Sequence, residues 1–201
     1  MKKMKRIISS VLVLVLGVCL TPLNVPLMVQ PSWGQSRDSQ VEEINRLIQE
    51  ARQQQQAGKH LSAIETWQQV LAIARAFKDR KKEALVLNEI GFNYQSISQP
   101  QEALKYYNQA LPIRREVGDR AGEAITLHNI GAVYNSIGQP KEALKYFNQA
   151  LPILQEVGDR AGKATTLSNI GLVYNSISQP QEALKYYNQA LPIRREVGDR
   201  A

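Results

Sequence analysis

The chain has little of the chemistry that catalytic and metal sites need. It contains one cysteine, Cys19, and two histidines, His60 and His128, in 201 residues. Cys19 lies in a segment that we expect to be removed, which excludes disulfides, thiolate catalysis and cysteine–metal sites in the mature chain. Neither histidine has a carboxylate pattern near it, and the glycines do not form a phosphate-binding loop. We therefore expect no catalytic residue, no metal, no cofactor and no enzymatic activity.

The chain also lacks an apolar run long enough to span a bilayer. Its longest such run, residues 7–20, has 14 residues, whereas a membrane-spanning helix needs about 20. Basic residues precede the run and Pro22 follows it, which is typical of an export signal. Small residues at Ser32 and Gly34 predict a signal peptide at 1–34 and an extracytoplasmic protein, periplasmic or secreted. The alternative is an uncleaved N-terminal segment, which would be the only membrane contact.

A strong excess of charge is missing as well. Four of the 25 lysines and arginines lie in residues 2–6, and the remaining 21 exceed the 18 acidic residues by three. So small an excess does not favour nucleic-acid binding. We expect no nucleic-acid partner.

What the sequence does contain is a 40-residue repeat. Residues 99–121, QPQEALKYYNQALPIRREVGDRA, recur unchanged at 179–201. The first unit, residues 41–80, is divergent but keeps the register, as expected for a terminal repeat. The same period aligns three sets of residues: Gly91, Gly131 and Gly171; Tyr94, Tyr134 and Tyr174; Pro100, Pro140 and Pro180.

Each unit predicts two helices. Pro140 suits the first position of the second helix, and Gly158 and Asp159 are placed to end that helix and to cap the next one. Two amphipathic helices cannot bury their apolar faces alone, so the units must stack into an all-α solenoid. The first helix is indicated by apolar or small residues spaced three and four apart: Ala124, Leu127, Ile130, Gly131 and Tyr134.

Proline inside the second helix conflicts with this pattern. Pro112, Pro152 and Pro192 each remove a backbone donor, at about 3 kcal/mol in a regular helix. We expect a kink, with the last turn continuing at a changed angle. The alternative is that the helix ends near Leu111.

The pattern resembles the tetratricopeptide repeat family over residues 44–197. The unit is about six residues longer than the family's usual 34, which is similar to kinesin light chain repeats and to bacterial arrays that accompany a caspase-like CHAT peptidase domain. The resemblance implies a right-handed α-solenoid with units at 44–77, 84–117, 124–157 and 164–197, a linker at 35–43 and a truncated further unit at 198–201. It is carried by Leu87, Ile90, Gly91, Tyr94, Ala103, Tyr107 and Ala110.

The resemblance also implies a concave groove, lined by the first helices, that receives extended peptides. Differences between the third and fourth units, such as Ala132 against Leu172, share one helix stripe, which favours a binding surface. The alternative is drift at solvent-facing positions. Asn129 and Asn169 follow the stripe and can grip a peptide backbone or cap a neighbouring helix. Transferred by position, the other groove residues are Asn88, Phe92, Gln95, His128, Ala132, Asn135, Ser168, Leu172 and Asn175.

Basic residues near the helix ends do not require a separate binding surface. Arg115 and Asp119 are four apart, as are Glu116 and Arg120, so local pairing is the simpler explanation. Only Arg52 approaches the family's carboxylate clamp, which disfavours a cochaperone role.

We therefore predict an exported scaffold that binds a peptide or protein segment. The alternative is a spacer or regulatory arm of a larger protein, such as one with a CHAT peptidase. The sequence stops at Ala201, where earlier copies begin another first helix. We accordingly expect either a fragment of a longer array or self-association through the last, uncapped repeat.

Overall fold

A computed structural model describes residues 37–198 of the chain. The predicted signal peptide and its cleavage site lie outside the described residues, as do Asp199, Arg200 and Ala201. The described part is all α-helical and contains eight helices in sequence order: α1 Arg37–Gln56, α2 His60–Ala76, α3 Arg80–Ser96, α4 Pro100–Glu116, α5 Arg120–Ser136, α6 Pro140–Glu156, α7 Arg160–Ser176 and α8 Pro180–Glu196.

The helices form four pairs, α1–α2, α3–α4, α5–α6 and α7–α8, which we number as units 1 to 4. The second helix of units 1 to 3 also packs on the first helix of the next unit, as α2 on α3, α4 on α5 and α6 on α7. One apolar cluster shows the result, because Leu111 of unit 2 lies in it together with Leu127, Ile130 and Leu154 of unit 3. The core is therefore shared between neighbouring units, which confirms the predicted solenoid of stacked helix pairs.

The predicted turn chemistry is present between the units. Gly158 has φ +73°, in the left-handed region that glycine adopts at low cost. Asp159 follows it, and its side chain accepts a hydrogen bond of 2.8 Å from the backbone N–H of Gly162. The first helices consequently begin at Arg80, Arg120 and Arg160, four residues before the unit boundaries expected at 84, 124 and 164.

Helix α1 also begins earlier than the sequence suggested. It starts at Arg37, so most of the expected linker at 35–43 is helical. Residues 37–56 contain neither glycine nor proline, so no helix-breaking residue separates this segment from the rest of α1.

Proline does not end the second helices. Helix α4 runs through Pro112 to Glu116, so a helix end near Leu111 is wrong. The last turn is held by packing, because Ile113 is only 6% exposed and lies in the apolar cluster shared with unit 1. The kink itself stays a prediction.

Within units 2 to 4 the two helices approach closely at one glycine, which is Gly91, Gly131 or Gly171. A Cβ placed on Gly131 would lie 2.8 Å from the ring of Phe147, which is fully buried. Tyr107 occupies the place of Phe147 in unit 2, while its neighbour Tyr106 stacks on Tyr94 with 5.4 Å between ring centroids. The adjacent tyrosines Tyr106 and Tyr107 therefore both serve packing.

The ion pairs differ from the sequence-based expectation. Arg115 binds Glu123 at 2.7 Å and not Asp119, which pairs instead with Arg114. Likewise Glu116 binds Arg80 at 2.7 Å and not Arg120. The prediction assumed helical spacing across positions 115–120, but residues 117–119 form a turn between two helices. The pairs therefore join separate helices.

Candidate peptide-binding groove

The first helices of the units adjoin one another along one side of the array. Helix α5 contacts both α3 and α7, whereas no comparable contact joins the second helices α4, α6 and α8. Helices that approach more closely lie on the inner side of a curved stack. Among the described units, the first helices therefore line the concave face on which the candidate groove residues lie.

Apolar side chains project from this face. Phe92 of α3 is 43% exposed and Leu172 of α7 is 51% exposed, although both are large hydrophobic residues. Ala132 and Asn135 of α5 are half-buried, and Asn175 of α7 is exposed. These five predicted residues have side-chain surface that a ligand can reach.

Two of the predicted groove amides, those of Asn88 and Asn129, hydrogen-bond to each other between neighbouring units. The Oδ1 atom of Asn88 lies 3.3 Å from Nδ2 of Asn129 and 3.2 Å from the hydroxyl of Thr126. Asn88 is only 7% exposed. A buried amide needs such partners, because an unpaired one costs about 1–3 kcal/mol. These two asparagines therefore fix the spacing of α3 and α5.

His128 makes the equivalent bridge one unit further along. Its Nδ1 lies 2.8 Å from the Thr166 hydroxyl, and its Nε2 lies 3.3 Å from Nδ2 of Asn169. The hydroxyl of Thr166 also donates to the Gly162 carbonyl at 2.9 Å. Because the hydroxyl has one proton, it accepts from His128 Nδ1–H, and the unprotonated Nε2 accepts from Asn169.

The surroundings of His128 favour this neutral form. Burial lowers the pKa of His128 below its ordinary value, because an imidazolium ion would lose its hydration there. Its ring packs on Phe147, with 5.3 Å between centroids. Asn129 and Asn169 thus bind side chains of neighbouring first helices and do not cap helix ends, which was the second role predicted for them. Their contact with a peptide backbone stays a prediction.

Two further predicted residues bond within their own unit. Gln95 accepts a hydrogen bond of 3.0 Å from the Tyr107 hydroxyl, and Ser168 donates to the Ala164 carbonyl at 2.9 Å. Both side chains remain half-buried. They support the floor of the groove and leave a limited surface for a ligand.

The structure adds two residues that the groove assignment omitted. Ile125 is 47% exposed, Thr165 is exposed, and each lies one turn before the assigned stripe. Together with His128 they border a shallow hollow of about 170 Å³ between α5 and α7. The difference between Ile125 and Thr165 was visible in the sequence, but only the structure shows that both reach the surface.

The hollow is too small for an ordinary cofactor or metabolite, whose pockets measure roughly 300–1,000 Å³. The assigned groove residues of units 2 to 4 include no lysine, arginine, aspartate or glutamate, although Glu89 occupies on α3 the position of Asn129 and Asn169, and Asp159 borders the hollow. Over residues 37–198, no group of three histidine, cysteine, aspartate or glutamate side chains is placed to hold a metal. No helix in that range is long and apolar enough to cross a membrane. The face suits side-chain and backbone contacts with a polypeptide.

Comparison with known proteins identifies the repeat. The sequence model of the tetratricopeptide repeat matches three overlapping segments, residues 47–116, 83–156 and 122–196. The chain belongs to the tetratricopeptide repeat family. This confirms the resemblance, and the family's repeats are a scaffold type that supports protein–protein interaction. Comparison with curated proteins found no match.

Solved structures show the same tetratricopeptide fold at low sequence identity. BtubC (BKLC) from P. vanneervenii is 22% identical with a TM-score of 0.70, over 79% of this chain and 65% of that one. A Podosopora anserina protein described as a kinesin light chain is 22% identical with a TM-score of 0.64, over 77% and 76%. The Rap conjugation regulator of plasmid pLS20, in complex with the Phr* peptide, is 17% identical with a TM-score of 0.70, over 83% and 45%.

The present chain therefore spans 65% of BtubC and 45% of the Rap regulator. At these identities the likeness concerns the fold alone. It confirms the stacked arrangement of helix pairs described above.

Proposed function

We propose that the concave face of this tetratricopeptide array binds an extended, mainly uncharged peptide segment of a partner protein. The observation that carries the proposal is the exposure of Phe92, Ile125 and Leu172 along the first helices. Large apolar side chains on a concave, uncharged surface gain free energy when a ligand covers them, at about 25 cal/mol per Å². The Rap regulator bound to the Phr* peptide shows that a similar fold accommodates a peptide.

Specificity would come from the amide side chains of the groove and from the apolar hollow between α5 and α7. The amides of Asn135, which is half-buried, and Asn175, which is exposed, can donate to and accept from a peptide backbone without reading its sequence. The hollow beside Ile125 and Thr165 offers a place for one apolar side chain. The ligand is thus a peptide with spaced apolar residues and few charges, because the assigned groove residues are uncharged and the two carboxylates beside them, Glu89 and Asp159, already accept hydrogen bonds from Gln55 and from the Gly162 N–H.

Peptide selection on the purified chain tests this proposal. The probe is a displayed library of random peptides, from which enriched sequences are synthesised and their dissociation constants measured. The informative variants are Leu172→Ala and Ile125→Thr. Each introduces the residue that another unit carries at the same position, Ala132 and Thr165 respectively, so the scaffold tolerates it. We expect each variant to weaken binding by about 1–2 kcal/mol, or roughly tenfold.

Leu61→Ala is the matched control, because Leu61 is 64% exposed on α2, outside the first helices. It should leave the dissociation constants unchanged. Peptides that bind the groove variants and the wild type equally would overturn the groove assignment. Failure to enrich any peptide would favour the alternative role as a spacer or regulatory arm.

Export of the chain is part of the same proposal. It rests on the basic and apolar pattern of residues 1–34. Expression in a bacterium followed by cell fractionation and mass measurement tests it. A mature chain that begins at Gln35 in the extracytoplasmic fraction is the expected result, whereas an intact chain in the membrane fraction would indicate an anchor.

A further inference from the structure

Helix α8 presents an apolar face that an identical helix elsewhere in the chain keeps buried. Helices α4 and α8 have the same 17-residue sequence. Leu111 of α4 is 8% exposed, whereas the corresponding Leu191 of α8 is 46% exposed. Tyr107 is fully buried, and its counterpart Tyr187 is only half-buried. The two helices therefore differ in what covers them and not in their own chemistry.

Helix α4 shows which surface fits this face. It packs on α5, and its Leu111 lies in one cluster with Leu127, Ile130, Ile153 and Leu154. The cover is thus helix α5, and Ile153 and Leu154 of α6 complete the same cluster of leucine and isoleucine.

An ion pair at one end of this contact determines how the covering helix pair is oriented. Arg115 near the end of α4 binds Glu123 in the first turn of α5 at 2.7 Å, and the glutamate side chain is only 6% exposed. The counterpart of Arg115 on α8 is Arg195, which is exposed. A helix pair seated on α8 would place an acidic first turn beside Arg195. Unit 4 of the chain itself carries Lys163 at that acidic position, so its charge does not match.

The opposite end of the array does not offer such a surface. Arg46 and Glu50 of α1 occupy the positions that Val86 and Ile90, both fully buried, occupy in α3. Arg46 instead pairs with Glu43 at 2.7 Å and with Glu50 at 3.0 Å. Burying these charges under a second copy's α8 would cost their hydration. Head-to-tail stacking of two copies is therefore disfavoured.

We propose that the exposed face of α8 docks a helix pair with the chemistry of α5–α6. That chemistry is an acidic residue in the first turn of the first helix, followed by a leucine and isoleucine stripe shared by both helices. This surface is separate from the concave groove, because it lies on a second helix.

The probe is a fluorescently labelled synthetic peptide of residues 118–157, added to the full chain and followed by anisotropy. A single helix pair is not stable alone, so this peptide folds as it binds, which lowers its affinity. We expect saturable one-to-one binding. The chain variant Leu191→Asp should abolish it, because a carboxylate would be buried in the contact. Leu61→Asp is the matched control and should bind like the wild type. Circular dichroism of both variants checks that the array remains folded.

A second peptide tests the ion pair. The same peptide with Glu123→Lys should bind the wild-type chain roughly five- to tenfold more weakly, because two like charges then meet at Arg195. Binding of this peptide as tightly as the parent would overturn the proposed orientation.

Three results would overturn the docking proposal itself. One is the absence of saturable binding, and another is binding that survives Leu191→Asp. The third is a chain dimer in sedimentation equilibrium that Leu191→Asp dissociates, which would assign the face to a second copy. None of these results bears on peptide binding in the groove, which depends on Ile125 and Leu172.

Discussion

At the scale of single residues, one difference between the junctions is the group that bridges the first helices. Between units 2 and 3 the bridge is Asn88, whose amide does not titrate near neutral pH. Between units 3 and 4 the bridge is His128, whose imidazole can take up a proton as the pH falls. Both bridges satisfy buried polar groups at neutral pH. Only the His128 bridge is disrupted in acid. A protonated Nε2 carries a second ring N–H, which would face the Nδ2–H donor of Asn169.

This difference predicts a pH-dependent stability that His128→Asn removes. Burial lowers the pKa of His128 in the folded chain, whereas the unfolded value is about 6.5. Below pH 6.5 the unfolded chain therefore binds more protons at this position than the folded chain does. Stability is fully present above that pH and is lost as the pH falls, by at most about 1.4 kcal/mol per pH unit.

Thermal unfolding of wild type and His128→Asn between pH 7.5 and pH 5 measures the effect. The variant carries the residue that the chain uses in the equivalent position 88 and keeps every carboxylate, so the difference between the two curves isolates His128. We expect the wild type to lose more stability than the variant as the pH falls. Parallel curves would show that His128 is not buried as described.

At the scale of helices and turns, the repeat shows the same backbone geometry with different residues. The turn inside each unit needs a left-handed residue, which is Ser98 with φ +58° in unit 2 and Gly138 with φ +71° in unit 3. A residue with a Cβ atom pays about 1–2 kcal/mol in this region. Glycine avoids that cost but has more backbone freedom to lose on folding.

Reciprocal substitutions test this balance. Ser98→Gly should raise the free energy of unfolding by about 0.5–1 kcal/mol, and Gly138→Ser should lower it by a similar amount. No atom lies within 4 Å of a Cβ placed on Gly138, so the second change acts through the backbone alone. Urea titrations of both variants give the two free energies. Equal stabilities for Gly138→Ser and the wild type would contradict the assignment.

The sequence predicted the elements well because each signal in it is local. The positions of Pro140, Gly158 and Asp159 were sufficient to place helix starts, ends and caps. The partners of Arg115 and His128 were not predictable in this way. Their partners Glu123 and Thr166 lie across a turn or in the next unit, and a pattern within one helix cannot show which side chains two stacked units bring together.

At the scale of the whole molecule, ion pairs link neighbouring units, and the junction between units 3 and 4 lacks the ion pair found at the other two. Between units 1 and 2, Arg75 and Arg80 both bind Glu83. Burial alone would raise the pKa of Glu83, but the hydrogen bonds from the two arginines outweigh it and hold this pKa below its ordinary value. Arg115, Arg120 and Glu123 repeat the arrangement between units 2 and 3.

Between units 3 and 4 the corresponding residues are Gln155, Arg160 and Lys163. Lys163 donates to Gln155 at 3.0 Å, so one neutral hydrogen bond replaces the bridged carboxylate. Unit 4 also has the least covered second helix of the described units. In a stacked array each unit depends on its neighbours, so we expect α7 and α8 to open before the other helices.

Restoring the charged arrangement should stabilise this last junction. The double change Gln155→Arg with Lys163→Glu gives the junction between units 3 and 4 the residues found at 115 and 123. We expect a gain of about 1 kcal/mol, limited because the arginines are half exposed. That gain corresponds to about fivefold slower amide hydrogen exchange in α7 and α8. The reverse change, Arg115→Gln with Glu123→Lys, is the matched control and should accelerate exchange from α5 onward.

The helices in which the exchange rate changes distinguish between two possible origins of the array's stability. The mean exchange rate does not. If neighbour contacts set the stability of each unit, the reverse change at positions 115 and 123 will loosen both units 3 and 4, because both lie beyond the weakened junction. If each helix pair were stable alone, the effect would stay at the first turn of α5. Exchange in α7 and α8 that is unchanged by the reverse variant would therefore contradict a solenoid held together by its junctions.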